Sequence, residues 1–190
     1  MQNAFEAAIA SALSNFTVTF FVLGLLAAGI AMAGGPKPVT GARVAQALAD
    51  YFILFSIGIG FAYNFVMHVL FGPMAAAFIG WADSPFQSEV GWASLGFALV
   101  GFAVFKARPG VQFLAVLGPA AFLWGAAATH AVQMATTGNF APGNAGTVFY
   151  TDILLPAIGF LLVGLSVRYQ AGRHGQAAAG SGRSSPAAAL

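Results

Sequence analysis

Every lysine and arginine of this chain lies in one of three places, and between those places run apolar stretches too long for a soluble core. Lys37 and Arg43 occupy the first polar gap, Lys106 and Arg108 the third, and Arg168, Arg173 and Arg183 the end of the chain. The second gap, 80–91, and the fourth, 136–146, contain neither residue type. In helical membrane proteins Lys and Arg collect in the loops that stay on the cytoplasmic side. Random placement of the basic residues would match that pattern in roughly one case in a hundred. The pattern therefore constrains class and topology together.

Composition agrees. The chain is 59% hydrophobic and 6% charged, with a mean hydropathy of +0.83, whereas a soluble domain carries roughly 25% charged residues. The net charge of +2 and the pI near 9.3 do not point to nucleic acid. The basic groups are divided among loops, where they set orientation and meet anionic lipid. There is no cysteine, which excludes thiol catalysis, cysteine metal sites and disulfides. The first charged side chain is Glu6, with no basic residue ahead of the apolar run, unlike a secretory signal.

A spanning helix needs about 20 mostly apolar residues. Five stretches meet that need: 16–33, 44–79, 85–105, 110–134 and 147–167. The expected fold is an all-α, polytopic membrane helix bundle of five transmembrane helices. The basic gaps place its N-terminus outside and its C-terminus in the cytoplasm. Before the spans, 1–15 shows Phe5, Ile9, Ala12, Leu13 and Phe16 at helical spacing, the signature of a short helix lying on the outer surface. After them, 169–190 is rich in Gly, Ala, Ser and Pro and reads as a disordered cytoplasmic tail, with His174 in it. Gly34-Gly35-Pro36 marks a helix stop. Ser84, Pro85 and Gln87 match an N-cap, a first-turn proline and the far member of a capping box. Trp81 and Trp92 suit an interfacial aromatic belt. Pro119 and Pro156 fall inside spans and predict kinks. Gly58, Gly96, Gly101, Gly118, Gly159 and their like allow close helix approach.

Ionisable and amide side chains are costly in lipid, so those inside spans face the bundle and carry a functional hypothesis. With the topology above, Tyr63, Asn64 and His68 climb toward the outside on the second span. His130 and Gln133 lie near the outer end of the fourth, and Asp152 in the outer part of the fifth. Asp83, Gln87 and Glu89 lie on the outer side or beside it, and Trp124 lies on the same span as His130. Tyr63, Asn64, His68, Asp83, Gln87, Glu89, Trp124, His130, Gln133 and Asp152 thus define a candidate outer pocket. Asp50 alone is near the cytoplasmic end, where pairing with Arg43 or Lys37 is the plain account. Asn64 and His68 are four residues apart, so the amide is placed to orient the ring.

Three chemistries fit this set. His68 and His130 with Asp152 make a ligand set for a transition metal, and thioethers such as Met67, Met74 or Met134 would favour copper(I). The same two histidines are placed as axial ligands of a haem. Histidine, aspartate and tyrosine also serve as a proton relay or as the polar end of a pocket for a quinone or other small molecule. Beside these stands simple packing, in which polar side chains bond across helices at about 0.6 kcal/mol each and lock the bundle.

Several motifs carry a likeness. Tyr63-Asn64-Phe65-Val66-Met67-His68, Gly80-Trp81-Ala82-Asp83-Ser84-Pro85-Phe86-Gln87, Leu123-Trp124-Gly125-Ala126 with His130, and Asn139-Phe140-Ala141-Pro142-Gly143-Asn144-Ala145-Gly146 before Asp152 resemble a family of small bacterial membrane proteins with a domain of unknown function. The resemblance covers about 45–167. It implies a compact bundle of about four spans in the bacterial inner membrane, with the first span an addition, and it brings no activity. A likeness to DoxX-type four-helix proteins is one of architecture alone. The expected function is a small-ligand or redox-associated role at the outer pocket. The alternatives are an accessory or structural subunit of a larger membrane complex with no chemistry of its own, and a metal- or haem-dependent oxidoreductase; the expected partners are lipid and either membrane-complex subunits or further copies of the chain in a homo-oligomer.

Overall fold

A helix leaves its first N–H and last C=O groups without partners, and the first helix shows how this chain covers them. In the computed structural model, which describes residues 3–181 with side chains as far as 172, α1 (Ala4–Ser14) opens on a reciprocal cap. Glu6 N–H donates to Asn3 Oδ1 at 2.8 Å, and Asn3 N–H donates to Glu6 Oε2 at 3.2 Å. No residue of α1 is buried, and Phe5, Ile9 and Leu13 are exposed. Thr19 Oγ1 donates to Ala12 O at 2.8 Å and ties α1 to α2 (Phe16–Ala33). The last carbonyls of α2 are covered from outside the helix. The Arg43 guanidinium donates to Ala31 O, Met32 O and Pro36 O.

The next crossing is one run of backbone, Gly41–Leu70, in three parts. Thr40 caps α3 (Gly41–Phe52), a π-helical turn follows over Ile53–Ile59, and α4 (Gly60–Leu70) completes it. The expected single helix over 44–79 is not formed. Phe71 leaves helical geometry, and α5 (Gly72–Ile79) starts afresh with Pro73 in its first turn. Pro73 has no N–H to donate back to Val69 and its ring would clash with that carbonyl, so α4 cannot run on through it and the break falls at Phe71. At Gly80 φ is +77°, a left-handed turn that ends α5 and suits glycine.

The remaining helices are α6 (Phe86–Val104), α7 (Pro109–Thr137), the short α8 (Pro142–Ala145) and α9 (Thr147–Ser181). The expected Ser84 cap is absent. No side chain caps α6, and Gln87 turns away from Ser84 to another helix. Pro119 and Pro156 lie within continuous helices. α9 continues past 167 to Ser181, so the backbone of 169–181 is helical where a disordered tail was expected. Gln and Ala in that stretch are good helix formers. The remainder of the expected tail, 182–190, and the side chains of Arg173, His174 and Arg183 lie outside the described residues.

Four stretches are long and apolar enough to cross a bilayer: Phe16–Ala33, Gly41–Leu70, Pro109–Thr137 and Pro142–Gly172. α6 is not among them, because Gln87, Ser88 and Glu89 open it. Its packing is nevertheless that of a full-length partner. It runs antiparallel to Gly41–Leu70, with Phe105 on Tyr51, Gly101 on Gly58, Phe97 on Phe61, Ser94 on Asn64 and Gln87 on His68. The closest approach is at the π-helical turn. A Cβ on Gly101 would stand 2.6 Å from Gly58 N, so the two backbones touch.

The buried core joins Phe52, Ile53, Ile57 and Phe61 to Ala98, Val116, Ala120, Leu155 and Val163. The outward faces are apolar as well, with Leu26, Ile30, Leu99, Leu114 and Leu161 exposed. Apolar side chains both inside and outside describe a bundle whose solvent is lipid. The chain is a multi-pass helical membrane protein.

The glycine contact has a direct test. Gly101→Val drives a side chain into the Gly58 backbone and should lower stability by about 2 kcal/mol, in the usual range for overpacking. Gly96, where an added Cβ meets nothing within 4 Å, is the control: Gly96→Ala should unfold in detergent at the wild-type midpoint.

Candidate functional site

The polar side chains inside the bundle gather into separate groups. The most enclosed lies where α7, α8 and α9 meet. His130 on α7 is 5% exposed, Asp152 on α9 3%, and Asn144 on α8 is fully buried. His130 Nδ1 and Asn144 Oδ1 are 2.7 Å apart. The Asn144 amide nitrogen donates to Asn139 O at 2.9 Å and to His130 O at 3.3 Å. Its oxygen is therefore the acceptor, and His130 Nδ1 carries the proton. That leaves His130 Nε2 turned to Asp152 Oδ2 at 3.8 Å. At that distance the two groups make no direct hydrogen bond, and the space between them is within reach of a third polar group.

The loop after α5 closes over this group. Asn139 Nδ2 donates to Ile79 O at 3.0 Å, and Asn139 Oδ1 accepts from Ala141 N–H at 3.0 Å. Trp81 lies against the His130 ring, with centroids 5.6 Å apart and planes 35° from parallel. Its indole Nε1–H is enclosed and has no acceptor. A buried donor without an acceptor is uncommon and calls for an explanation such as a bound ligand or water.

A second group sits between α4 and α6. His68 Nδ1 meets Gln87 Oε1 at 2.7 Å, and Asn64 Nδ2 donates to Ser94 Oγ at 2.9 Å. The expected Asn64–His68 pairing is not made, because α6 supplies each with its own partner. A third group, at the opposite end of the bundle, joins α3, α7 and α9. Asp50 Oδ1 accepts from Gln46 Nε2 at 2.7 Å and from Gln112 Nε2 at 2.8 Å. Ser166 Oγ donates to Gln46 Oε1 at 2.6 Å. Gln112 is fully buried and Asp50 is 8% exposed. The expected pairing of Asp50 with Arg43 or Lys37 is replaced by these amides, since the Arg43 guanidinium is taken up by the carbonyls ending α2 and by Pro36 O.

The ten expected pocket residues therefore do not form one pocket. His68 with Gln87 and His130 with Asp152 are brought together as pairs. Tyr63 turns to α1 and α2, donating to Leu13 O at 3.3 Å and packing on Phe16. Trp124 is on the outer surface, where Nε1 donates to Ile153 O at 3.2 Å. Gln133 Oε1 accepts from Thr137 on its own helix. Asp83 and Glu89 are exposed.

The proposed metal set of His68, His130 and Asp152 is not assembled. Among the described residues no three His, Asp or Glu side chains gather as metal ligands. The physical reason is α5, whose Gly72 end lies against Gln87 beside His68, and whose Phe78 end lies against Gly143 beside the His130 group. α5 thus runs from beside the His68 group to beside the His130 group. Met74 is 59% exposed and lines neither group.

The residues that sequence reasoning missed are Trp81 as the cover of His130, Asn144 as its partner, and the Gln46, Gln112 and Ser166 shell of Asp50. The spacing of Gln46 and Asp50, four residues apart, was the available signal for the last. A family model matches residues 14–172 of the chain. The chain belongs to the DUF6790 family, a family of unknown function. The match takes in α2, so the first span is part of the DUF6790 unit and not an addition to it. No curated protein matches. No solved structure matches either.

In this DUF6790 protein Asn144 is the hinge of the most enclosed group. Asn144→Ala strands the buried His130 Nδ1–H and should cost about 2 kcal/mol, the penalty for a buried donor left unmade. Thermal unfolding in detergent reads it. An unchanged midpoint would mean that the His130–Asn144 bond is not formed in the bilayer.

Proposed function

We propose that this protein is a five-pass protein of the bacterial inner membrane, N-terminus outside, that binds a small carbonyl-bearing ligand of the quinone class at its extracytoplasmic end. The enclosed Trp81 N–H without an acceptor carries the ligand reading. A ligand carbonyl accepts from Trp81 Nε1, and the His130–Asp152 pair beside it exchanges a proton with the bound group. The role is redox-associated through that proton.

The topology is supported by α6. A helix of 19 residues rises about 28 Å, close to the roughly 30 Å of a bilayer core, and it lies beside a spanning segment for its whole length. Only if α6 crosses do Lys37, Arg43, Lys106, Arg108 and Arg168 share one face. α1 then rests on the outer surface with Phe5, Ile9 and Leu13 toward lipid.

The chain has no cysteine, so single-cysteine labelling in whole cells tests the topology cleanly. Ser88→Cys should react with an impermeant maleimide from outside, and Ala107→Cys only after the membrane is opened. Equal labelling of both from outside would remove the fifth pass.

Isothermal titration with a short-chain benzoquinone tests the ligand. Saturable binding is expected in the wild type. Trp81→Phe, which keeps the ring and drops the N–H, should weaken it about ten-fold, the worth of one hydrogen bond. Binding that is absent, or indifferent to Trp81→Phe and His130→Gln, would leave the group as a clamp between helices.

A further inference from the structure

Both buried acids lie on one seam, the line along which Gly41–Leu70, α7 and α9 meet. Asp50, Gln112 and Ser166 stand at one end of it, and His130 and Asp152 at the other. Among the described residues neither acid has an ion pair with a lysine or arginine; Lys106 bears on Asp50 only through space. A carboxyl group kept in the membrane without a cation is expected to hold or pass a proton.

Between the two ends lies a void. It is lined by Ser56, Phe61, Pro119, Leu155 and Pro156, among others, and offers about 20 Å³ to the centre of a water molecule. That suffices for one water. The Ser56 hydroxyl is enclosed there without a partner. All three backbones are irregular at this level. Ser56 lies in the π-helical turn, and Pro119 and Pro156 each deprive a carbonyl one turn earlier of its helical donor. For Pro156 that carbonyl is the one of Asp152. The wall of the void is apolar apart from the Ser56 hydroxyl.

The spacing along the seam is short. Six residues separate Asp50 from Ser56, about 9 Å of rise, and four separate Pro156 from Asp152, about 6 Å. At hydrogen-bond spacing the first interval corresponds to about two waters and the second to about one. We propose that this seam is a proton path across the membrane, with Asp50 as its cytoplasmic station, a water held by Ser56 at its centre, and the His130–Asp152 pair as its outer station. A proton arriving at one carboxyl group moves along the chain of hydrogen bonds, and a proton leaves at the other, so charge crosses without any ligand. The path uses the outer pair of the proposed ligand site but needs no quinone.

The test is full-length protein in phospholipid vesicles with a trapped pH dye, driven by a potassium gradient and valinomycin, with no quinone present. Acidification should run several-fold faster than in protein-free vesicles. It should fall to the protein-free rate in Asp50→Asn, Asp152→Asn and Ser56→Leu, and fall in part in Ser56→Ala, which removes the hydroxyl with the least disturbance of packing. Circular dichroism and gel filtration establish which variants are folded, and Ser56→Ala carries the comparison if Ser56→Leu is not. Wild-type flux no faster than protein-free vesicles overturns the path, as does full flux in folded Asp50→Asn and Ser56→Ala. Failure of quinone titration leaves this result unaltered, and absence of flux leaves the titration unaltered.

Discussion

A polar atom inside a bilayer has no water to turn to, so each one must find a partner within the protein. Most of the architecture here follows from that constraint. Arg43 is spent on the carbonyls that end α2, although a buried carboxylate lies seven residues along the same helix. Asp50 is then enclosed by neutral amides from two helices, and those amides join α3 to α7 and, through Ser166, to α9. At the far end Asn144 bonds His130 by side chain and by backbone. The polar groups act as fasteners between helices that lipid alone would not hold together, since apolar faces gain little by leaving lipid for one another.

The class of the fold was legible because hydropathy and loop charge both act over whole segments. A run of 18 apolar residues such as α2 admits few other readings. What misled were local signals that compete with tertiary partners. Ser84-Pro85-Phe86-Gln87 has the pattern of a capping box, yet Gln87 is worth more bonded to His68 across the α4–α6 seam than to a backbone N–H that water can reach. The apolar run 44–79 reads as one span, but at Phe71 the helix ends and it restarts as α5 with Pro73 in its first turn.

The candidate site was legible only in part, for a geometric reason. Spacing along one helix tells which side chains share a face. It does not tell which neighbour that face meets. His68 and His130 were placed at one depth, and depth alone suggested a shared site. The position of α5 across the end of the bundle keeps them apart, and nothing in the apolar run 72–79 announces it. Asp152 does lie beside His130, because the end of α7 and the start of α9 pack on each other. Asn144 sits on a four-residue helix in a loop, where periodicity offers no signal.

The three backbone irregularities at mid-bundle are best understood together. A π-helical turn inserts one residue into a helix and leaves its hydrogen bonds less regular, and such turns are found most often at functional positions. Here the turn lies against Gly101, where an added Cβ would stand 2.6 Å from the Gly58 backbone. On its other flank it faces Pro119 and Pro156 across the Ser56 void. Three helices thus depart from regular α-helical bonding at one level, around a common void. Were the purpose only to pack, an alanine at 56 and regular residues at 119 and 156 would fill the same seam with fewer unmet polar groups. The seam instead keeps an unpartnered hydroxyl at mid-bundle, between two buried acids. That unmet hydroxyl distinguishes this interface from the glycine-studded contacts elsewhere in the bundle.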